Sequence, residues 1–278
     1  HLLSRRQRQM CIRDSIYSVI LILQKVNKRL DMHGFQAYNI ICKGGFMKKI
    51  NHRAFTLAEV LITLGIIGIV AAMTLPALIS DHKAKVIANK LKKVQSTFAQ
   101  ALLMAENEYG PLDSWGLAKD TEESAEMLGK RIAPYLKLID NCGIQACESY
   151  TGEWHFLKGN QDPDIASFHK SNFYKLRLAD GSELFIRPDD GHFGLFIDIN
   201  GKKTPNIMGK DIFRLVGYTN GKVIPTEVGE DPKTQGWAYC NPTTGEGWAC
   251  AAWIMYKENM DYLKCADKLE WNGRTKCN

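Results

Sequence analysis

No C-x-x-C pair, no H-E-x-x-H helix, no G-x-S-x-G turn and no Walker loop occurs in the 278 residues. Those absences remove zinc ribbons, zinc proteases of that signature, serine hydrolases of the α/β type and P-loop nucleotide enzymes. His155, His169 and His192 could meet near Asp189 or Asp190, but no nucleophile stands at a recognisable turn, so the chain reads as a non-enzyme. Excess positive charge is missing too once the chain is divided. The net charge of +6 comes from residues 1–54, which hold 11 Lys and Arg against two Asp, whereas the rest holds 25 against 28 Asp and Glu. No nucleic-acid partner is indicated.

One apolar run is long enough to matter. Val60–Ile79 spans twenty residues, and as a helix it rises about 30 Å, the thickness of a bilayer's hydrocarbon core. Ahead of it stand Lys48, Lys49 and Arg53, and at its mouth a single acid, Glu59. A carboxylate there is costly to place in lipid and points to a partner. The pattern Lys48-Lys49, a small Ala54, then Phe55-Thr56-Leu57-Ala58-Glu59 and an apolar helix resembles the leader and start of type IV pilins and type II secretion pseudopilins. The resemblance implies cleavage between Ala54 and Phe55 by a membrane prepilin peptidase, which then methylates the new amino terminus. Glu59 becomes the fifth mature residue and Pro76 the twenty-second, where pilins commonly carry a helix-kinking proline. The family usually has Gly before the cut, where this chain has Ala54.

A free α-amino group brought beside another copy needs a counter-charge, and a neighbour's Glu59 can supply it, relieving two desolvation penalties together. The bland alternative is a plain signal anchor with an incidental acid. Gly65, Gly68 and Ala71-Ala72 gather on one face, where small residues let helices approach closely in lipid. Pro76 removes one helical hydrogen bond and should loosen the helix near the membrane exit. Beyond it Ile87, Leu91, Val94, Phe98, Ala101, Leu102 and Ala105 recur at helical spacing, and Gly110-Pro111 stops the helix after Tyr109. Such a helix is about 80 Å long, more than one small domain covers. Lys83, Lys85, Lys90, Lys92 and Lys93 just past the run read as a solvated face, with anionic lipid head groups as the alternative.

Residues 1–46 fit poorly with the rest of the chain and read as an artefactual extension ahead of a start at Met47. Without Cys11 and Cys42, six cysteines are left: Cys142, Cys147, Cys240, Cys250, Cys265 and Cys277. An even number in an exported domain suggests disulfides rather than zinc, and although six thiols allow fifteen pairings, three local ones are expected: Cys142 with Cys147, Cys240 with Cys250, and Cys265 with Cys277. Glu122–Leu128 and Ile132–Leu138 read as short helices, with Trp115, Trp154, His155 and Phe156 packing on the long helix and a binding surface as their alternative. Runs at Tyr174–Leu178, Glu183–Arg187, Gly194–Ile199, Asp211–Tyr218 and Lys222–Ile224, separated by Asp180-Gly181, Asn200-Gly201 and Asn220-Gly221, predict an antiparallel meander of four or five strands. Asp198, Asn200 and Asp211 offer hard oxygen ligands that suit calcium, but no acid closes a twelve-residue loop; turn chemistry explains them without metal, and calcium is kept as the alternative. Trp248–Tyr256 and Asn259–Cys265 read as a helical tail packed on the head.

The expected organisation is therefore α+β. A prepilin leader (47–54) precedes a membrane and assembly half-helix (55–80) and an amphipathic half (81–109). A connecting region (110–172), a β-meander (173–225) and a Cys-rich carboxy-terminal region (226–278) come after them. The resemblance implies a structural subunit of a type II secretion pseudopilus or type IV pilus, single-pass in the cytoplasmic membrane with its head in the periplasm or outside. Its partners would be the prepilin peptidase/methyltransferase, other pilin or pseudopilin subunits, an inner-membrane assembly platform and membrane lipid. The alternatives are a minor tip or priming pilin, and a monomeric membrane-tethered envelope binding protein. Mass spectrometry of the mature protein should find a methylated Phe55 at its amino terminus; a chain still carrying Lys48 and Lys49 would refute the processing.

Overall fold

The structure, a computed structural model, describes residues 56–145, 154–160, 170–201, 203–234 and 239–277. Helix α1, Leu57–Tyr109, runs 53 residues without a break through Pro76. It ends where expected, because Gly110 takes a left-handed conformation (φ 83°) that most side chains resist, and Pro111 cannot continue the helix. Ala84, Ile87, Ala88, Leu91, Val94, Phe98, Ala101, Leu102 and Ala105 form its buried stripe, the one the spacing predicted.

Past a turn at Leu112–Trp115, helix α2 covers Glu122–Ile132, with Thr121 capping it by accepting the Ser124 N–H. A carbon added at Gly129 would lie about 2.0 Å from the Tyr174 ring, so only glycine lets α2 lie this close to the sheet. The second short helix expected over Ile132–Leu138 is instead a single turn, Ala133–Tyr135, leading into strand β1, Leu138–Gly143. Pro134 biases the chain out of continued helix, and Leu136 is already extended.

Five further strands complete the sheet: β2 Tyr174–Leu178, β3 Glu183–Asp189, β4 His192–Asp198, β5 Ile212–Tyr218 and β6 Lys222–Pro225. They pair antiparallel in chain order, β1 to β6, giving six strands rather than four or five. Alternation sends Leu176, Leu184, Ile186, Phe193, Leu195, Ile197, Phe213 and Leu215 into one core with α1; the rings of Phe98 and Phe193 lie 5.7 Å apart. Trp115 joins this core and stacks edge-on against Tyr109. Trp154 and Phe156 do not. The opposite pleat of the sheet presents Phe185, Phe196 and Ile212, which also need cover, and Trp154, Phe156, Phe173, Met208 and Trp248 supply it as a second core.

Lys175, on that outer face, is only 2% exposed. Its ammonium donates to the carbonyls of Ile144, Lys170 and Phe173, so one cation ties the chain where it leaves the sheet to the chain where it returns. Burial is the larger influence on its pKa and pulls it down to about 8.

The tail packs as expected. Helix α3, Cys250–Lys257, is buried from Cys250 to Met255 and lies against α1 and β5, and a short helix α4 spans Tyr262–Cys265. Cys240–Cys250 and Cys265–Cys277 are bonded, two of the three expected pairs. Cys142 is also in a disulfide, while its expected partner Cys147 lies outside the described residues, as do Cys11 and Cys42. Phe98 is fully buried at the helix–sheet contact, so Phe98→Ala should cost about 3–5 kcal/mol in chemical denaturation of the detergent-solubilised protein; a loss under about 1 kcal/mol would show that this contact does not carry the head.

Candidate functional site

Two parts of the molecule have properties beyond those of a packed core. The first is the bare half of α1. Among the described residues α1 is long and apolar enough to cross a membrane, and its apolar window is covered by none of the others. Leu57 and Met73 are each 77% exposed. Thr63 and Thr74 turn their hydroxyls back onto the carbonyls of Val60 and Val70, so the helix shows few polar groups there. Carbon atoms added at Gly65 or Gly68 would meet nothing within 4 Å among the described residues, so the packing of the head does not require either glycine. Glu59 sits exposed in the first turn, and Ala54 and Phe55 lie outside the described residues.

The covered half of α1 is tied to the head by charge as well as by packing. Glu106, 9% exposed, accepts four hydrogen bonds: from the N–H groups of Leu112 (3.0 Å), Asn220 (3.0 Å) and Gly221 (2.8 Å) and from the Thr219 hydroxyl (2.9 Å). The β5–β6 turn can bring its amides this close because Asn220 and Gly221 both have positive φ. A carbon added at Gly221 would come within 3.0 Å of the Ala99 carbonyl. Sequence reasoning missed Glu106. Its trace was an acid in the last turn of a helix, where the dipole disfavours it, one turn beyond the buried Leu102. The lysines are not merely solvated. Lys90 donates to the Ile199 carbonyl (2.7 Å) and to Ser182 (3.2 Å), Lys92 to Glu258 (2.8 Å) and Lys93 to Asp180 (3.4 Å).

The second part is the loop from β4 to β5. Asp198 and Asp211 are buried, 0% and 4% exposed. One Asp198 oxygen accepts the N–H groups of Asn200 (3.0 Å) and Gly201 (2.9 Å). Asp211 accepts the N–H groups of Asn206 (2.9 Å) and Ile207 (2.6 Å) and the Asn200 side-chain amide (3.2 Å). The structure thus brings together Asp198, Asn200 and Asp211, the three residues picked from sequence, and adds Asn206. Burial pushes the Asp198 carboxyl up to about 8, with Asp211 and Glu183 adding to the effect against the two N–H bonds. Burial likewise raises Asp211, and the Ile207 and Asn206 amides oppose it. Among the described residues no group of three or more His, Cys, Asp and Glu side chains is placed to hold a metal, so a cation here would need amide or carbonyl oxygens.

The prokaryotic N-terminal methylation motif matches residues 49–75. With the long apolar helix that contains its second half, the motif fits a pilin-like, membrane-anchored subunit, and it implies processing by a prepilin peptidase and assembly with other pilin subunits. The second match, described as a family of unknown function (DUF6613), covers residues 77–237, more than half of the chain, and the chain belongs to that family. No curated protein and no solved structure matches it. The two matched regions meet at Pro76, a little ahead of Ala84, the first buried residue of α1.

Replacing Glu106 strands several buried donors at once. Glu106→Ala should cost about 3 kcal/mol or more, and Glu106→Gln, which keeps one oxygen, clearly less. Thermal melts of both variants check this, and equal losses would refute a role for the carboxylate pair.

Proposed function

We propose that this chain is a structural subunit of a type II secretion pseudopilus or type IV pilus, assembled through the bare half of α1. The carrying observation is the contrast along one helix: from Ala84 onward an apolar stripe is buried by the head, while the twenty residues before Ser80 are covered by none of the described residues. Before assembly, lipid covers them. The leader is cut between Ala54 and Phe55, and the head stays in the periplasm or cell exterior. In the filament, neighbouring helices replace lipid along the face of Gly65 and Gly68, where dispersion and close backbone approach drive association. The freed, methylated Phe55 amine of one subunit pairs with Glu59 of the next, which selects the axial offset between copies. Pro76 lets the membrane half adjust against its neighbours while the covered half stays fixed to the sheet.

One observation favours a minor tip or priming subunit over a major one. The second aromatic core adds a layer on the outer face of the sheet, enlarging the head beyond what holding the helix requires.

Glu59→Ala should leave the melting temperature of the head unchanged and reduce sedimentable filaments, or secretion through them, at least tenfold. Wild-type filament yield from that variant would overturn the assembly mechanism.

A further inference from the structure

The loop joining β4 to β5 closes three oxygens away from solvent without a hydrogen-bond donor from the protein: Oδ2 of Asp198, Oδ1 of Asn200 and Oδ1 of Asn206. Asp198 is 0% and Asn206 3% exposed. Buried acceptors are nearly always met by a donor, and each one left alone costs about 1–3 kcal/mol. Three within nine residues of chain ask for one common partner.

The residues that carry these oxygens form one hydrogen-bonded cluster through Asp211. The Asn200 N–H reaches Asp198, the Asn200 side-chain amide reaches Asp211, and the Asn206 N–H reaches the same Asp211 oxygen. In both asparagines the idle atom is the carbonyl oxygen, so what is missing is a donor or a cation. Lys90 comes near but directs its ammonium to the Ile199 carbonyl and Ser182. The donor set of two carboxylates and two amide oxygens contains neither nitrogen nor sulfur, which disfavours zinc and copper. Magnesium prefers to keep several of its waters, whereas calcium accepts six to eight mixed carboxylate, amide and carbonyl oxygens in irregular cages.

We propose that this loop is a calcium site, held by Asp198, Asn200, Asn206 and Asp211 with backbone carbonyls completing the shell. Asn206, which the sequence did not mark, is as much a ligand as the two aspartates. The site lies in the head and stands whether or not the chain forms filaments. Because the Ile199 carbonyl is also the acceptor of Lys90 on α1, calcium that orders the loop firms the seating of the head on its helix. With only two carboxylates the site belongs to the weak class suited to extracellular concentrations, with a dissociation constant of about 10⁻⁴–10⁻³ M.

The test uses the full chain in detergent, stripped with EGTA and melted with and without about 5 mM CaCl₂, where a rise of about 5 °C is expected. Two substitutions localise the effect. Asn206 has φ 52°, so Asn206→Gly keeps the backbone and its N–H bond to Asp211 while removing the side-chain oxygen. Asp198→Asn keeps an acceptor for the Asn200 and Gly201 amides but removes the charge. Each should melt near the wild type in EGTA and require at least tenfold more calcium for the same shift. A wild-type melt indifferent to calcium would overturn the site, the idle oxygens then holding water. An undiminished shift in both variants would overturn it equally, by placing calcium elsewhere.

Discussion

Helix α1 must satisfy two environments at once. From Ala84 onward its apolar stripe is covered by the sheet, by α2 and by α3, and its polar face is held by salt bridges and carbonyl contacts. Over Val60–Ile79 it is apolar on nearly every side, and twenty such residues in water would forfeit a large part of the hydrophobic free energy that keeps a head of this size folded. The unequal cover along one continuous rod is the constraint behind the rest of the molecule. In the proposed filament subunit lipid first receives the bare half, and neighbouring helices then replace the lipid.

The head is organised to hold the second half of that rod firmly. Its inner sheet face supplies the apolar contact, and Glu106 fixes the far end by gathering amides from the β5–β6 turn and from the chain leaving the helix. Nearer the membrane Lys90, Lys92 and Lys93 bind three separate parts of the head. Disulfides at Cys240–Cys250 and Cys265–Cys277 then fasten the tail that closes over α3. The outer aromatic core is a second layer on this platform, and Lys175 pins its connecting chain at both ends.

What could be read from sequence was what is local. The stripe from Ile87 to Ala105, the stop at Gly110-Pro111 and the turns at Asp180-Gly181 and Asn220-Gly221 each rest on residues within a few positions of one another. Strand β1 escaped because it is a half-exposed edge whose Asp140 and Asn141 break any alternation. Trp154 and Phe156 were assigned to the wrong surface, since nothing in their own neighbourhood tells which face of a distant sheet lacks cover. Glu106 was missed for the same reason: three of its four donors lie more than 110 residues away. In the β4–β5 loop Asp198, Asn200 and Asp211 stood out by residue type, whereas Asn206 joins them only when the chain doubles back.

The order of the sheet carries a consequence for how the molecule comes into being. Every strand pairs with its neighbour in the chain, so no strand waits for a distant partner and most loop closures are short. The sheet can zip up progressively as it emerges, whereas the α3 layer and the Trp248 lid of the outer core wait for the carboxy terminus.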